Sequence, residues 1–208
     1  MRILITAGPT REYLDPVRFI SNASSGRMGY AIASAAVAAG HDVTLLTGPV
    51  ALTEPDGCRC VRFESVAELQ SSLNEHFDAC DVLIMTAAVG DFRPQTPAAT
   101  KLARSDGAIS LTLTPTDDVV AAVAARKRAD QRVVAFAVED AERPAAEEKA
   151  RRELAAKHAD YVVVNTPAAF GAEASDACIL AADGTVLPWA DRDKTRLASE
   201  IIQLLENT

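Results

Sequence analysis

The sequence predicts an α/β protein with a Rossmann-like, doubly wound and mainly parallel sheet that carries helices on both faces. Short apolar runs typical of buried strands, such as residues 2–7 and 82–85, alternate with stretches of helical spacing, such as 27–39. This alternation implies right-handed βαβ crossovers. The composition agrees, because 49% of the residues are hydrophobic and only 5% are aromatic, so that small aliphatic side chains form most of the core.

The other elements continue this alternation. We expect strands at 42–46, 133–138 and 161–164, a half-exposed strand at 109–113, and helices at 66–77, 117–128, 144–157 and 191–206. A small C-terminal β-hairpin is expected over about 177–188, because Asp183-Gly184 is a favoured two-residue turn. Residues 90–107 follow neither period, and a connection of this length is often a flexible functional flap. We expect the whole chain, 1–208, to form a single domain.

The composition also excludes several classes of protein. A formal net charge of −8 argues against a nucleic-acid partner or a membrane-surface partner. The four cysteines lack the spacing of a zinc site. No apolar run is long enough to span a membrane, and Met1 leads into a strand without room for a signal peptide. We therefore expect a cytoplasmic protein with reduced thiols.

A turn rich in Ser and Gly follows the first strand. The strand stops at Gly8-Pro9, and the segment Ser24-Ser25-Gly26-Arg27-Met28-Gly29 then opens a helix. A helix N-terminus presents unpaired backbone N–H groups and the positive end of the helix dipole, both of which favour a phosphate. An ordinary βα connection uses the same residue types, so the motif alone leaves two interpretations open.

Small and acidic residues follow the strand at 82–85. In doubly wound sheets, ligands bind beyond the carboxyl ends of the strands, near the point where the strand order reverses. Thr86-Ala87-Ala88 leaves space for a flat ring against the backbone, and Asp91 is either a ligand of Mg²⁺ or a turn residue. Phe136 ends a later strand at the same edge, either as a core residue or as a platform for a base.

Two cations lie in the aperiodic segment. Lys101 and Arg104 would neutralise charge on a triphosphate if this segment folded over it, although an exposed lysine is usually only solvated. The sequence contains no metal motif and no catalytic triad, and its three histidines are scattered. Chemistry by positioning and charge stabilisation, as in nucleotidyl or phosphoryl transfer, therefore fits better than covalent catalysis.

These motifs together resemble the phosphopantothenate–cysteine ligase (phosphopantothenoylcysteine synthetase) family. The resembling segments are 5–12, 14–29, 87–92 and 136–137, which occur in the family order over nearly the whole chain. The resemblance implies a ligase of coenzyme A biosynthesis that joins 4′-phosphopantothenate to L-cysteine. CTP with Mg²⁺ activates the carboxylate as an acyl-cytidylate and releases pyrophosphate. The amine of cysteine then displaces CMP and forms the amide.

The resemblance also carries expectations about partners. It implies a homodimer to which the hairpin region contributes contacts. In bacteria the family supplies the second half of a bifunctional enzyme, but no flavin decarboxylase domain precedes the ligase segments here. We therefore expect no flavin in this chain, and a stand-alone ligase or an excised ligase domain whose decarboxylase would be a separate partner chain.

Family positions carry over to this sequence residue by residue. Asn22 matches the asparagine needed to convert the acyl-cytidylate, and Lys101 matches the flap lysine associated with its formation. The expected substrate-binding residues are Asn22, Arg18 and Ala88, and the expected metal ligand is Asp91. The expected nucleotide-binding residues are Gly8, Ser24, Ser25, Gly26, Met85, Thr86, Ala87, Asp91, Lys101, Asp117, Asp118, Val119, Val120, Phe136 and Lys157.

The sequence departs from the family pattern in its cations. Lys157 matches the second of two helix lysines that contact nucleotide phosphates, whereas Glu153 stands in the place of the other and reverses its charge. The flap reads Lys101-Leu102-Ala103-Arg104 where the family often has Lys-x-Lys-Lys. The sequence therefore leaves the choice between CTP and ATP open.

Two other functions stay open at this point. An NAD(P)-dependent Rossmann oxidoreductase has a similar glycine turn, although the spacing from Thr6–Gly8 to 24–29 is too long for it and no Tyr-x-x-x-Lys pair exists. A diverged, non-catalytic nucleotide-binding module would account for Glu153 and for the reduced number of flap lysines. Pyrophosphate release separates this module from a ligase.

Overall fold

The structure, a computed structural model, describes residues 1–104, 107–169 and 171–208. The strands are β1 (Arg2–Ala7), β2 (Arg11–Tyr13), β3 (Phe19–Ser21), β4 (Asp42–Thr47), β5 (Arg59–Arg62), β6 (Val82–Met85), β7 (Phe92–Pro94), β8 (Leu113–Pro115), β9 (Arg132–Val138), β10 (Tyr161–Asn165), β11 (Ala174–Ala181) and β12 (Gly184–Asp193). The helices are α1 (Arg27–Ala38), α2 (Val66–His76), α3 (Val119–Ala124), α4 (Arg143–Ala156) and α5 (Lys194–Glu206).

The centre of the fold is an eight-stranded sheet in the order β12-β11-β10-β9-β6-β1-β4-β5. The six strands from β10 to β5 are parallel, and β11 pairs antiparallel with both β10 and the edge strand β12. The chain leaves β1 towards β4 on one side and later returns to β6 on the other side. The strand order therefore reverses at β1 and β6, which opens a crevice at their carboxyl ends.

The sheet divides the core into two layers. Side chains of β1 alternate between them, since Ile3 and Ile5 face one layer and Leu4 faces the other. The first layer contains the buried residues of α1 and α5, and the second contains those of α2, α3 and α4. The predicted fold class, a mainly parallel sheet with helices on both faces, is confirmed.

The prediction of a strand at 109–113 is wrong. Of these residues only Leu113 lies in a strand, β8, which pairs antiparallel with β7. The pairs run from Phe92 opposite Pro115 to Pro94 opposite Leu113. Beyond β7, the pairing continues only through the Gln95 N–H, which donates to the Thr112 carbonyl at 2.9 Å. Among the described residues, 109–111 therefore belong to no strand.

The helix expected at 117–128 is shorter in the structure, where α3 covers Val119–Ala124. Asp118 ends the preceding loop as the N-cap, because its carboxylate accepts hydrogen bonds from two N–H groups of the first turn. A tight turn follows the helix, in which the N–H of Lys127 donates to the carbonyl of Ala124 at 3.0 Å.

The C-terminal hairpin is larger than expected. Its two-residue turn is Ala182-Asp183, one residue earlier than the expected Asp183-Gly184, because Gly184 pairs with Ala181 at the start of β12. Strands β11 and β12 extend the hairpin to 174–193 and join it to the main sheet beside β10. The last helix therefore begins at Lys194 instead of residue 191, with Asp193 as its N-cap. Strand β5, strand β7 and the small β2–β3 ribbon were not predicted from the sequence.

Two residues of the expected flap, Ser105 and Asp106, lie outside the described residues. In the part of the chain that the structure describes, none of the helices has the length and apolar character that crossing a bilayer requires.

Candidate functional site

The crevice at the carboxyl edge of the sheet forms a cavity of about 570 Å³. It lies where α1, β6, β9 and α4 meet, at the reversal of strand order. Most of the residues predicted for the site line this cavity. These residues are Asn22, Ser24, Ser25, Gly26, Met85, Thr86, Ala87, Ala88, Asp91, Asp117, Asp118, Val119, Val120, Phe136 and Lys157.

The N-terminus of α1 forms one wall of the cavity. Gly26 is its N-cap with φ of +75°, a left-handed conformation that side chains rarely adopt, and it offers no side-chain cap. Among the described residues, the N–H groups of Arg27, Met28 and Gly29 have no hydrogen-bond partner. This wall therefore presents three backbone donors and the positive end of a twelve-residue helix to the cavity.

Close packing holds this helix end against the sheet. A Cβ atom at Gly29 would lie 2.5 Å from both the Ala7 Cβ and the Thr86 Oγ1. The Thr86 hydroxyl donates to the Thr6 carbonyl at 2.5 Å, and the Ala87 N–H donates to the Thr6 Oγ1 at 3.1 Å. The ends of β1 and β6 are thus tied together directly beneath the helix terminus.

Asn22 lies between the α1 wall and the loop that follows β6. Its Nδ2 donates a hydrogen bond to the Val89 carbonyl at 2.9 Å, and its own carbonyl accepts from the Ser24 N–H at 2.8 Å. An amide has two N–H donors and an oxygen acceptor. The bond to Val89 therefore orients the side chain and leaves one donor and the Oδ1 for a ligand.

Two acidic loops face the cavity beside Asn22. The Thr116 N–H donates to the Asp91 carbonyl at 2.9 Å, and the Thr116 hydroxyl donates to the Gly90 carbonyl at 2.6 Å. These bonds place the exposed carboxylates of Asp91 and Asp117 on neighbouring loops of the cavity. Asp118, the third acidic residue here, uses its carboxylate to cap α3.

The donor set fits a metal ion that arrives with phosphates. Within the described ranges, His, Cys, Asp and Glu form no group of three or more that could hold a metal ion alone. Mg²⁺ is commonly held by one or two carboxylates together with substrate phosphates and waters. Asp91 and Asp117 have no side-chain partner among the described residues, so both carboxylates are available for this role.

The opposite wall belongs to α4. Lys149, Glu153 and Lys157 follow each other at four-residue spacing and all line the cavity. The Lys149 ammonium lies 2.8 Å from Glu139, which is only 4% exposed, and the hydrogen bond to this carboxylate raises the pKa of Lys149. The Lys157 ammonium lies 3.5 Å from the Glu153 carboxylate. Both lysines of this wall are therefore already paired with an anion.

Two further cations line the cavity, Arg27 in the predicted turn and Lys194, which the sequence analysis missed. Burial lowers the pKa of Lys194, whose ammonium donates to the carbonyls of Ala169 and Ala172. Arg27 forms an ion pair with Glu173. Lys194 reaches the cavity because β12 ends there and α5 begins, a junction that no local motif marks.

Phe136 was expected either as a core residue or as a platform for a base. In the structure its side chain is half-buried against the core layer that contains α1 and α5, and it also lines the cavity.

Gly8, Arg18 and Lys101 are the predicted residues that do not line the cavity. Gly8 lies just beneath the wall, since a Cβ atom at Gly26 would approach its nitrogen to 3.3 Å. Arg18 lies 3.4 Å from the buried Asp15 carboxylate and donates to the Leu102 carbonyl at 2.8 Å. The structure therefore places Arg18 next to the flap residue that follows Lys101.

Asp15 holds this flap segment. Its carboxylate accepts hydrogen bonds from the N–H groups of Val17, Arg18 and Leu102 at 2.8, 2.9 and 3.2 Å. Burial alone would raise the pKa of Asp15, but these backbone donors together lower it below its ordinary value. Asp15 thus links the β2–β3 turn to Leu102, inside the expected flap.

The fold and the cavity define a class of protein, the doubly wound α/β domains whose ligand cavity lies at the reversal of strand order. The family model described as DNA/pantothenate metabolism flavoprotein C-terminal domain matches residues 1–208, and the chain belongs to this family. The family resemblance predicted from the sequence is thereby confirmed.

Known relatives cover nearly all of this chain. The coenzyme A biosynthesis bifunctional protein CoaBC of Bacillus subtilis (strain 168) is 39% identical over 97% of this chain and 50% of its own length. A cysteine/cysteine sulfinic acid decarboxylase of an unknown prokaryotic organism is 39% identical over 97% of this chain and 57% of its own length. The chain thus spans about half the length of the curated relatives it matches. Since these two names differ, a name alone assigns no activity here.

A solved structure matches the described fold closely. The crystal structure of the C-terminal domain of a coenzyme A biosynthesis bifunctional protein CoaBC is 35% identical, with a TM-score of 0.82. The match covers 99% of this chain and 94% of that domain. The chain therefore corresponds in extent to this C-terminal domain.

Proposed function

We propose that the chain is a phosphopantothenate–cysteine ligase, which joins 4′-phosphopantothenate to L-cysteine with CTP through an acyl-cytidylate. The observation that carries this proposal is the cavity, in which N–H groups of α1 and two carboxylates, none of them paired with a described residue, meet the oriented amide of Asn22. Such a set serves a reaction that proceeds by positioning and charge stabilisation. The coenzyme A name of the relative from Bacillus subtilis supports the same activity.

The first step depends on the α1 wall and the acidic loops. The N–H groups of residues 27–29 bind phosphate oxygens of CTP, and Ser24 and Gly26 leave the backbone open to them. Bound Mg²⁺ supplies charge neutralisation, and Asp91 and Asp117 are the residues that would hold it. The carboxylate of phosphopantothenate then attacks the α-phosphate, and pyrophosphate leaves.

The second step depends on Asn22. The remaining Nδ2 donor of Asn22 binds the acyl oxygen while the amine of cysteine attacks, so that the developing negative charge is stabilised. The bond from Nδ2 to Val89 fixes the direction of this donor. CMP leaves, and the amide of phosphopantothenoylcysteine forms.

The flap supplies Lys101 to the first step. The side chain of Lys101 is exposed and lies outside the cavity lining, so the lysine reaches the triphosphate through its long side chain and a closing of the flap residues before it. Leu102 donates a hydrogen bond to Asp15 and its carbonyl accepts one from Arg18, so Leu102 is the anchored position for this closing. Arg18 thus contributes at least by positioning the flap, in addition to its predicted contact with substrate.

The remaining expectations accompany this proposal. They are a single domain over 1–208 with a flap at 90–107, a homodimer, a cytoplasmic location, no flavin in this chain, and a decarboxylase as the separate partner. The choice of CTP over ATP belongs to the same proposal, with Phe136 and the turn Asp117–Val120 beside the base.

Pyrophosphate release tests the proposal. The chain is incubated with Mg²⁺ and 4′-phosphopantothenate without cysteine, and CTP is compared with ATP. We expect pyrophosphate with CTP, and phosphopantothenoylcysteine once cysteine is added. Binding of CTP without pyrophosphate release would instead identify a non-catalytic nucleotide-binding module. A change in NAD(P)H absorbance with no pyrophosphate would favour the oxidoreductase.

A further inference from the structure

The α4 wall contains two ion pairs that differ in rigidity. Glu139 is 4% exposed and holds Lys149 at 2.8 Å, at the end of β9 where its own N–H donates to the Asn165 carbonyl. Glu153 is 31% exposed and lies 3.5 Å from Lys157, whose side chain is 25% exposed. The Glu153–Lys157 pair is therefore the looser of the two and the one that an entering ligand can rearrange.

A phosphate that approaches Lys157 meets a pair instead of a free cation. The Glu153 carboxylate is already paired with the Lys157 ammonium. A phosphate therefore gains attraction to this ammonium only by displacing the carboxylate. The 3.5 Å separation and the partial exposure of both side chains indicate a weak pair, as is usual at four-residue spacing, so displacement is feasible. The displaced carboxylate remains on the wall of the same cavity. The free-energy cost of breaking the Glu153–Lys157 pair lowers the affinity of the wall for phosphate in comparison with a neutral residue at position 153.

We propose that Glu153 is a positioning residue that sets the affinity of the site for polyphosphate, by competing with the ligand for the Lys157 ammonium. The inference rests on the proposed function, since the polyphosphate is CTP before the first step and pyrophosphate after it. Competition from Glu153 weakens the retention of pyrophosphate and so favours its departure.

The variant Glu153→Gln tests this inference with a matched control. Glu148 lies on the same helix, is paired with Arg152 at 3.1 Å with the same four-residue spacing, and is 73% exposed. Among the described residues, the cavity lining does not include Glu148. Glu148→Gln therefore makes the same change of charge on α4 without touching the site.

We expect Glu153→Gln to lower the KM for CTP and the inhibition constant of pyrophosphate by about three- to tenfold. The single-turnover rate constant of acyl-cytidylate formation, which excludes pyrophosphate release, stays within about twofold, because the carboxylate does not touch the reacting atoms. Glu148→Gln leaves both constants within about twofold. Equal constants for the two variants, or weaker binding in Glu153→Gln, would overturn the inference.

The same substitution made in a Lys157→Gln protein shows whether Glu153 acts through Lys157. In Lys157→Gln the competition is absent, so adding Glu153→Gln should tighten polyphosphate binding less than twofold. A full gain in that background would mean direct repulsion and would contradict the competition. Thermal unfolding of each variant reports whether it is folded.

Calorimetry with magnesium pyrophosphate requires no turnover, so it separates this inference from the proposed function. A wild-type chain that binds pyrophosphate but releases none from CTP would refute the ligase and leave the inference intact. If neither the wild type nor Glu153→Gln binds pyrophosphate, the inference fails.

Discussion

The two walls of the cavity present positive charge in different ways. The α1 wall uses backbone N–H groups at residues 27–29, which close packing at Gly29 keeps in place. The α4 wall uses the ammonium groups of Lys149 and Lys157, each already paired with a carboxylate. A backbone site is fixed by the fold, whereas a side-chain site is tuned by its neighbours. The contrast suggests that α1 provides recognition of the phosphate and that α4 adjusts its strength.

The largest effect is expected at Asn22, beside the α1 wall. In Asn22→Asp both Nδ2 donors are lost, the one bonded to Val89 and the one proposed for the acyl oxygen, so amide formation should fall by about a hundredfold or more. Pyrophosphate release from CTP and phosphopantothenate should stay within a few-fold, and mass spectrometry should detect an accumulating acyl-cytidylate. Asn74→Asp, on the exposed face of α2, is the control. Normal yields of phosphopantothenoylcysteine would remove Asn22 from the second step.

The packing of the α1 wall is tested by Gly29→Ala. Alanine usually stabilises a helix relative to glycine, but here the new Cβ lies 2.5 Å from two atoms of the sheet. We expect a loss of about 1–3 kcal/mol in the free energy of unfolding, as for other overpacked sites. The KM for CTP should rise at least about tenfold, because the N–H groups shift away from the phosphate.

The same helix offers a control for this change. Ser34→Ala alters an exposed position of α1 and should leave the free energy of unfolding and the KM for CTP nearly unchanged. A Gly29→Ala protein with wild-type stability and KM would show that the close approach of helix and sheet does not hold the donors.

The smallest effect is expected at the rigid pair of the α4 wall. Because Glu139 raises the pKa of Lys149, the pair contributes stability below the ordinary lysine pKa of about 10.4 and loses it as the pH rises through the raised pKa. Lys149 is half exposed, so Glu139→Gln should cost less than about 1 kcal/mol at pH 8. Urea unfolding at pH 8 and above pH 11 measures the difference in free energy of unfolding between the wild type and Glu139→Gln. A larger difference at the higher pH would contradict the stabilising role of the Glu139–Lys149 pair.

The α1 wall could be predicted from the sequence because its determinants are local. A strand that ends at Gly8, followed by Ser24–Gly29 and a helical pattern, specifies both the turn and the free N–H groups. The position of the loop at Asp91 could also be predicted, because parallel strands bring their carboxyl ends to one edge of the sheet.

The rest of the site depends on contacts between distant residues. Lys149 and Lys194 reach the cavity only through the packing of α4 and the length of β12, and the role of Arg18 depends on Leu102, 84 residues away. The pairing that places β8 at Leu113–Pro115 rather than 109–113 is also long-range. Periodicity within one segment contains no information about such partners.

The central claim is that the carboxyl edge of the sheet holds the polyphosphate of a nucleotide at the start of α1. A crystal structure of the chain with CTP, Mg²⁺ and 4′-phosphopantothenate tests it most directly. The account predicts phosphate oxygens about 3 Å from the backbone nitrogens of residues 27–29, with the Lys157 ammonium turned from Glu153 towards the phosphate. A nucleotide bound outside this cavity, or one whose phosphates lie away from α1, would contradict it.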